Sequence, residues 1–144
     1  MRRTIGLTAC LLAFTGCVHT NAAVLDATVQ LAPICPNGVK VYIDTTSIGQ
    51  PYQQIAILNS AGQTGSTTEG GMIHSQQQKA AALGANGIVV NGINEPKAGT
   101  KIIGALFGTG AERKGSAMAI LIPGDSLRVQ AACDGTKYRR ARPT

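Results

Sequence analysis

Between residues 66 and 93 the hydrophobic pattern changes period once, from helical to strand-like. Met72, Ile73, Ala80 and Leu83 share one stripe at about 100° per residue, with Gln76 a polar intruder inside it. Ser66 and Glu69 have capping-box spacing, which predicts a helix starting near Thr67. Gly84 stands where a left-handed terminal residue is wanted, a conformation that glycine adopts without a Cβ clash. Asn86-Gly87 then turns the chain, and Ile88-Val89-Val90 leaves as a strand. A helix-to-strand unit of this kind needs a sheet to lie on.

The remaining pattern supplies that sheet. After Pro33 to Gly38, the apolar residues Val39, Val41 and Ile43 alternate with Lys40 and Tyr42, predicting a strand with one buried face. Gln54 to Asn59 predicts a second strand, and Ser60 to Thr67 reads as a loop. Following Asn94-Glu95-Pro96 and the glycine-spaced residues Gly99 to Gly115, the run Ser116 to Ile122 is nearly all apolar. It is expected at the centre of the sheet or covered on both faces. Pro123-Gly124 ends it, and Ser126 to Ala131 could add a short edge strand. The expected fold is α+β: a small mixed or antiparallel sheet in the order β-β-α-β-β, with room for one more strand and one long helix on one face. The organisation is a leader at 1–16, a cysteine and linker at 17–38, the domain at 39–133 and a basic tail at 134–144. The segment Val18 to Ala32 reads as a linker reaching on the order of 50 Å when extended. Ala27 to Leu31 could form a short strand within it.

The first segment changes the picture from fold to address. Arg2 and Arg3 precede an apolar run, Ile5 to Phe14, about half of the roughly 20 residues that a membrane-spanning helix needs. It reads as a secretory leader. Phe14-Thr15-Gly16-Cys17 resembles a bacterial lipobox, with Phe14 in place of the usual leucine, and implies acylation of the Cys17 sulfur. Two chains on a diacylglyceryl group hold a membrane where one chain alone is marginal. Val18 rather than aspartate after the cysteine implies sorting to the outer membrane. The alternative is an ordinary cut near Thr20-Asn21-Ala22, releasing a soluble periplasmic protein.

Cleavage before Cys17 leaves 128 of the 144 residues, enough for one domain. Loss of Arg2 and Arg3 leaves 11 basic residues against 7 acidic ones, so the formal charge falls from +6 to +4. There is no tryptophan, with two phenylalanines and three tyrosines, so the core must be aliphatic.

Leu83-Gly84-Ala85-Asn86-Gly87-Ile88-Val89-Val90, after a helix ending in Lys79-Ala80-Ala81-Ala82, resembles the signature of the small YbjQ/RcsF-like domains. These include an outer-membrane stress-sensing lipoprotein and domains labelled heavy-metal-binding. The resemblance covers about Val39 to Ile122 and implies a sensor or interaction domain. That lipoprotein carries two disulfides, whereas only two cysteines lie beyond the leader and lipobox here.

Those two, Cys35 and Cys133, form an even remainder in an oxidising compartment, which predicts a disulfide. The alternatives are two free thiols or metal ligation, but there is no CxxC, and His19 and His74 lie at no recognised ligand spacing. Other chemistry fails on the residues. Gly108-Thr109-Gly110 with Arg113-Lys114 lacks the glycine that a phosphate loop needs directly before its lysine. His74 falls on the far side of the helix from its apolar stripe. No Ser/His/Asp set and no close acidic pair suggests catalysis.

Two surface features remain as candidate partner contacts. Ile102, Ile103, Leu106 and Phe107 form an apolar, glycine-rich stretch too short to span a membrane. It is either a contact loop or a cover strand folded onto the sheet. Arg139, Arg140 and Arg142 make a basic tail that could meet an anionic envelope polymer, or remain solvated. The sequence therefore predicts a non-enzymatic envelope lipoprotein with no cofactor, no metal and no nucleic-acid partner, acting on an envelope protein or polymer. The alternative is a periplasmic ligand- or metal-binding module.

Overall fold

The computed structural model describes residues 18–28, 30–94 and 111–140, the last five as backbone. Among the described residues five strands form one mixed sheet: β1 (His19–Val24), β2 (Lys40–Tyr42), β3 (Gln53–Gln63), β4 (Gly87–Asn94) and β5 (Glu112–Leu121). Their spatial order is β1-β3-β5-β4-β2. β2 runs parallel to β4 and the other neighbours are antiparallel. Helix α1 (Glu69–Ala82) lies on one face, and α2 (Ser126–Arg140) packs against the short turn Pro36–Gly38. This is the small α+β domain that the hydrophobic pattern predicts.

The core fills both faces unequally. Between α1 and the sheet lie Ala56, Leu58, Ile88, Ala117 and Ala119 from the strands and Ala80 from the helix, all inaccessible to solvent. The opposite face carries a smaller cluster, Tyr42, Ile48, Val89, Ile120 and Ile122, at the β2 side of the sheet. Alanines on β3 and β5 let α1 approach closely, so the core is thin and aliphatic. Gln76, the intruder in the helical stripe, is fully buried and donates to the Ser60 hydroxyl (2.9 Å), which donates in turn to the Gly115 carbonyl (3.2 Å). The bond from Nε2 offsets part of what burying the amide costs, while Oε1 has no hydrogen-bond partner among the described residues.

The helix starts two residues later than the capping-box spacing predicts. Thr68 is the cap, its hydroxyl accepting from Gly71 N–H at 3.0 Å, because Ser66 and Thr67 are used in a turn onto Gln63. Its end follows expectation. Gly84 has φ +76°, Gly84 N–H reaches Ala81 O and Ala85 N–H reaches Ala80 O, both at 3.0 Å. That is a Schellman stop. A Cβ on Gly84 would lie 2.4 Å from Leu31 Cβ and 2.7 Å from the Ala32 carbonyl oxygen. Gly84→Ala is therefore expected to cost more than the roughly 1–2 kcal/mol of left-handed strain alone. Equilibrium denaturation checks this, and a loss below 0.5 kcal/mol (well under that ~1 kcal/mol strain floor) would mean the 31–32 segment is not seated there.

Five sequence expectations change, the first being Ser60 to Gln63, read as loop, which continues β3 in register with β5. His19–Val24, read as linker, is an edge strand whose every residue pairs with β3. Its small and polar side chains carry little hydrophobic signal, since backbone pairing, the packing of Ala22 on the core and the Thr20–Ser75 hydroxyl contact (2.6 Å) hold it. Ser126 to Ala131, allowed for as a short edge strand, is helical, with Leu127 80% exposed. The basic tail from 134 continues that helix as far as Arg140. Finally, β2 buries Tyr42 on the face opposite α1 and leaves Val41 exposed along with Ile43, the latter because the chain bends away after three residues. Asp44 fixes that bend by accepting from the Thr46 hydroxyl (2.6 Å) and Ser47 N–H (2.8 Å). The Thr46 hydroxyl first, and the Ser47 amide second, hold its carboxyl below the ordinary carboxylate pKa.

Candidate functional site

Two regions carry polar or covalent chemistry. The first is the Cys35–Cys133 disulfide, which joins the entry to the Pro36–Gly38 turn to helix α2 across a Cα separation of 5.6 Å. The bridge predicted from cysteine arithmetic is present. Around it the packing is close, and a Cβ on Gly38 would meet Val129, Cys133 and Ile34 at 3.1–3.3 Å. Arg128, one turn into α2, donates to Asp125 Oδ2 (2.5 Å) and to the Asn86 carbonyl (3.0 Å). Asn86 is buried and brackets the backbone of Ile122, accepting from its N–H and donating to its carbonyl, each at 2.8 Å. An apolar groove of about 260 Å³ runs between α2 and the end of α1 beside these groups.

The second region lies on the sheet face opposite α1, at the β1 side. Strand register sets it in two rows. His19 pairs with Ala61, Ala61 with Lys114 and Lys114 with Asn94; one step along, Asn21 pairs with Asn59, Asn59 with Ser116 and Ser116 with Gly92. Alternate strand residues share a face, so these side chains converge. Ala61 and Gly92 are small enough to leave space between them. The result is an open cleft of about 230 Å³ lined by His19, Asn21, Asn59, Asn94, Lys114 and Ser116.

No family model and no curated protein matches the chain. One solved structure does: the crystal structure of a Francisella virulence factor, FvfA, with a TM-score of 0.50 and 16% sequence identity, covering 71% of this chain and 96% of that one. The likeness is one of fold alone. It leaves the site to be argued from its own residues.

The structure brings together one of the residue sets named from sequence, Cys35 with Cys133. Cys17, Ile102, Ile103, Leu106, Phe107 and Arg142 lie outside the described residues, and Arg139 and Arg140 fall on the backbone of the last turn of α2. His74 is exposed on α1, its Nε2 3.1 Å from Gln78 Nε2. Among the described residues, no three His, Cys, Asp or Glu side chains converge on a point that could hold a metal ion, and no helix is long and apolar enough to cross a membrane. The polar cleft was missed. Its signal was present as polar residues two apart, His19 with Asn21 and Lys114 with Ser116, but only the cross-strand register unites them.

Proposed function

We propose that the chain is a lipid-tethered protein of a bacterial envelope, diacylated at Cys17, sorted to the outer membrane and facing the periplasm. Its α+β domain works by binding an envelope protein or anionic polymer, without catalysis. The observation that best supports a tether at Cys17 is the position of β1 at His19–Val24. An ordinary cut near Thr20-Asn21-Ala22 would remove half of that strand and its pairs with Ser60 and Asn59. A cut before Cys17 leaves the strand whole. The disulfide supports an oxidising compartment, and the likeness of Leu83 to Val90 to the YbjQ/RcsF-like signature agrees with a sensor or interaction role.

A consequence concerns reach. With β1 starting at His19, only Val18 separates the acylated residue from the sheet, so about 3.5 Å of chain replaces the expected linker. The domain would rest against the headgroups. Mass spectrometry of the mature protein is expected to show a diacylglyceryl group on Cys17, and Cys17→Ser is expected to move the protein from the detergent-extracted membrane to the soluble fraction. An unmodified N-terminus beyond Cys17 would defeat the tether. A periplasmic ligand-binding module is the second reading, favoured by the polar cleft. A metal site at the cysteines is not compatible with their disulfide, which leaves no thiolate to ligate.

A further inference from the structure

The cleft on the β1 side has a composition that selects its ligand. Lys114 supplies a point cation, and His19 stands across Ala61 from it in the same row. Two inter-strand spacings separate them, about 10 Å, enough for a small anion to sit between. Asn21, Asn59 and Ser116 form the next row. Carboxamides and a hydroxyl offer donors and acceptors together, the requirement for binding hydroxyl groups. Ala61 is the largest purely hydrocarbon side chain in the lining, so what distinguishes one ligand from another there is the set of polar groups. The nearest acid on this face among the described residues is Glu112, one step further out opposite Gln63 and outside the lining. At about 230 Å³ the cleft falls below the 300–1,000 Å³ usual for drug-sized ligands.

This combination suits a small polyol carrying an anionic group. Its place narrows the class further, and this step rests on the tether at Cys17. His19 is two residues beyond the acylated position, about 7 Å of chain, and a headgroup layer is itself roughly 5–7 Å deep. The cleft would lie level with lipid phosphates.

We propose that this cleft binds a glycerophosphate group, with Lys114 and His19 on the phosphate oxygens and Asn21, Asn59 and Ser116 on the glycerol oxygens. The group could belong to a phospholipid headgroup or to free glycerol phosphate. The test is an NMR titration of the ¹⁵N-labelled mature protein in non-ionic detergent with sn-glycerol 3-phosphate, glycerol and inorganic phosphate. Saturable shifts at His19, Asn21, Asn59, Lys114 and Ser116 are expected, tightest with glycerol 3-phosphate. Lys114→Gln and Asn59→Ala, both at exposed strand positions, should each weaken binding at least tenfold, while Arg139→Gln with Arg140→Gln should leave it unchanged. Phosphatidylglycerol nanodiscs identify the source. The same shifts without added ligand indicate the headgroup, and shifts only on adding soluble glycerol 3-phosphate indicate the free form. Absence of saturable shifts in both formats, or equal binding by Lys114→Gln, overturns the proposal. The soluble probe does not depend on acylation, so an unmodified Cys17 would defeat the tether and leave this titration readable.

Discussion

Cys133→Ser lowers the unfolding free energy by about 4.7 kcal/mol on the chain-entropy model, the value for a closed loop near 100 residues. The bond spans 98 positions, so it restricts nearly the whole unfolded domain. Native strain would reduce the gain, and α2 would also lose its covalent hold beside Pro36–Gly38. Urea denaturation with and without reductant measures the effect. The wild-type midpoint should fall on reduction, and that of Cys133→Ser should not respond. Equal midpoints for oxidised and reduced wild type would remove the bridge from any account of stability.

Leu58→Ala should cost about 2–5 kcal/mol, the range for truncating a fully buried leucine. Leu58 is inaccessible to solvent at the centre of β3 beneath α1. Its neighbours Ala56, Ala80, Ala117 and Ala119 have no side-chain freedom with which to refill the space. That places the expected loss in the upper half of the range. Leu83 is half-buried at the margin of the same cluster, so its truncation should cost less. A Leu58 variant within 1 kcal/mol of wild type, half of the ~2 kcal/mol minimum expected, would show that α1 does not close this core.

Local chemistry made some elements legible. The stop at Gly84 and the apolar runs of β4 and β5 could be read directly, because glycine's left-handed φ and continuous burial leave marks in composition. Tertiary context decided the rest. His19–Val24 is polar and small, yet pairs along its full length. Leu127 and Val129 alternate like strand residues, but α2 is held by Arg128 on Asp125 and by Cys133 on Cys35. Tyr42 is buried on the sheet face opposite α1, while Val41 and Ile43, expected on the buried face, are exposed. The cleft needed three strand registers before its six side chains became neighbours.

β1 lies outside the covalent ring closed by Cys35 and Cys133. A protease that nicks the ring once leaves both pieces attached to each other. A nick anywhere from residue 25 to 34 instead leaves the N-terminal strand joined to the body by noncovalent contacts alone: the ladder with β3, the Thr20–Ser75 hydrogen bond and the packing of Ala22. Such a strand can be withdrawn or exchanged for another of the same sequence, so within this ten-residue stretch a single cleavage turns a permanent attachment into a reversible one.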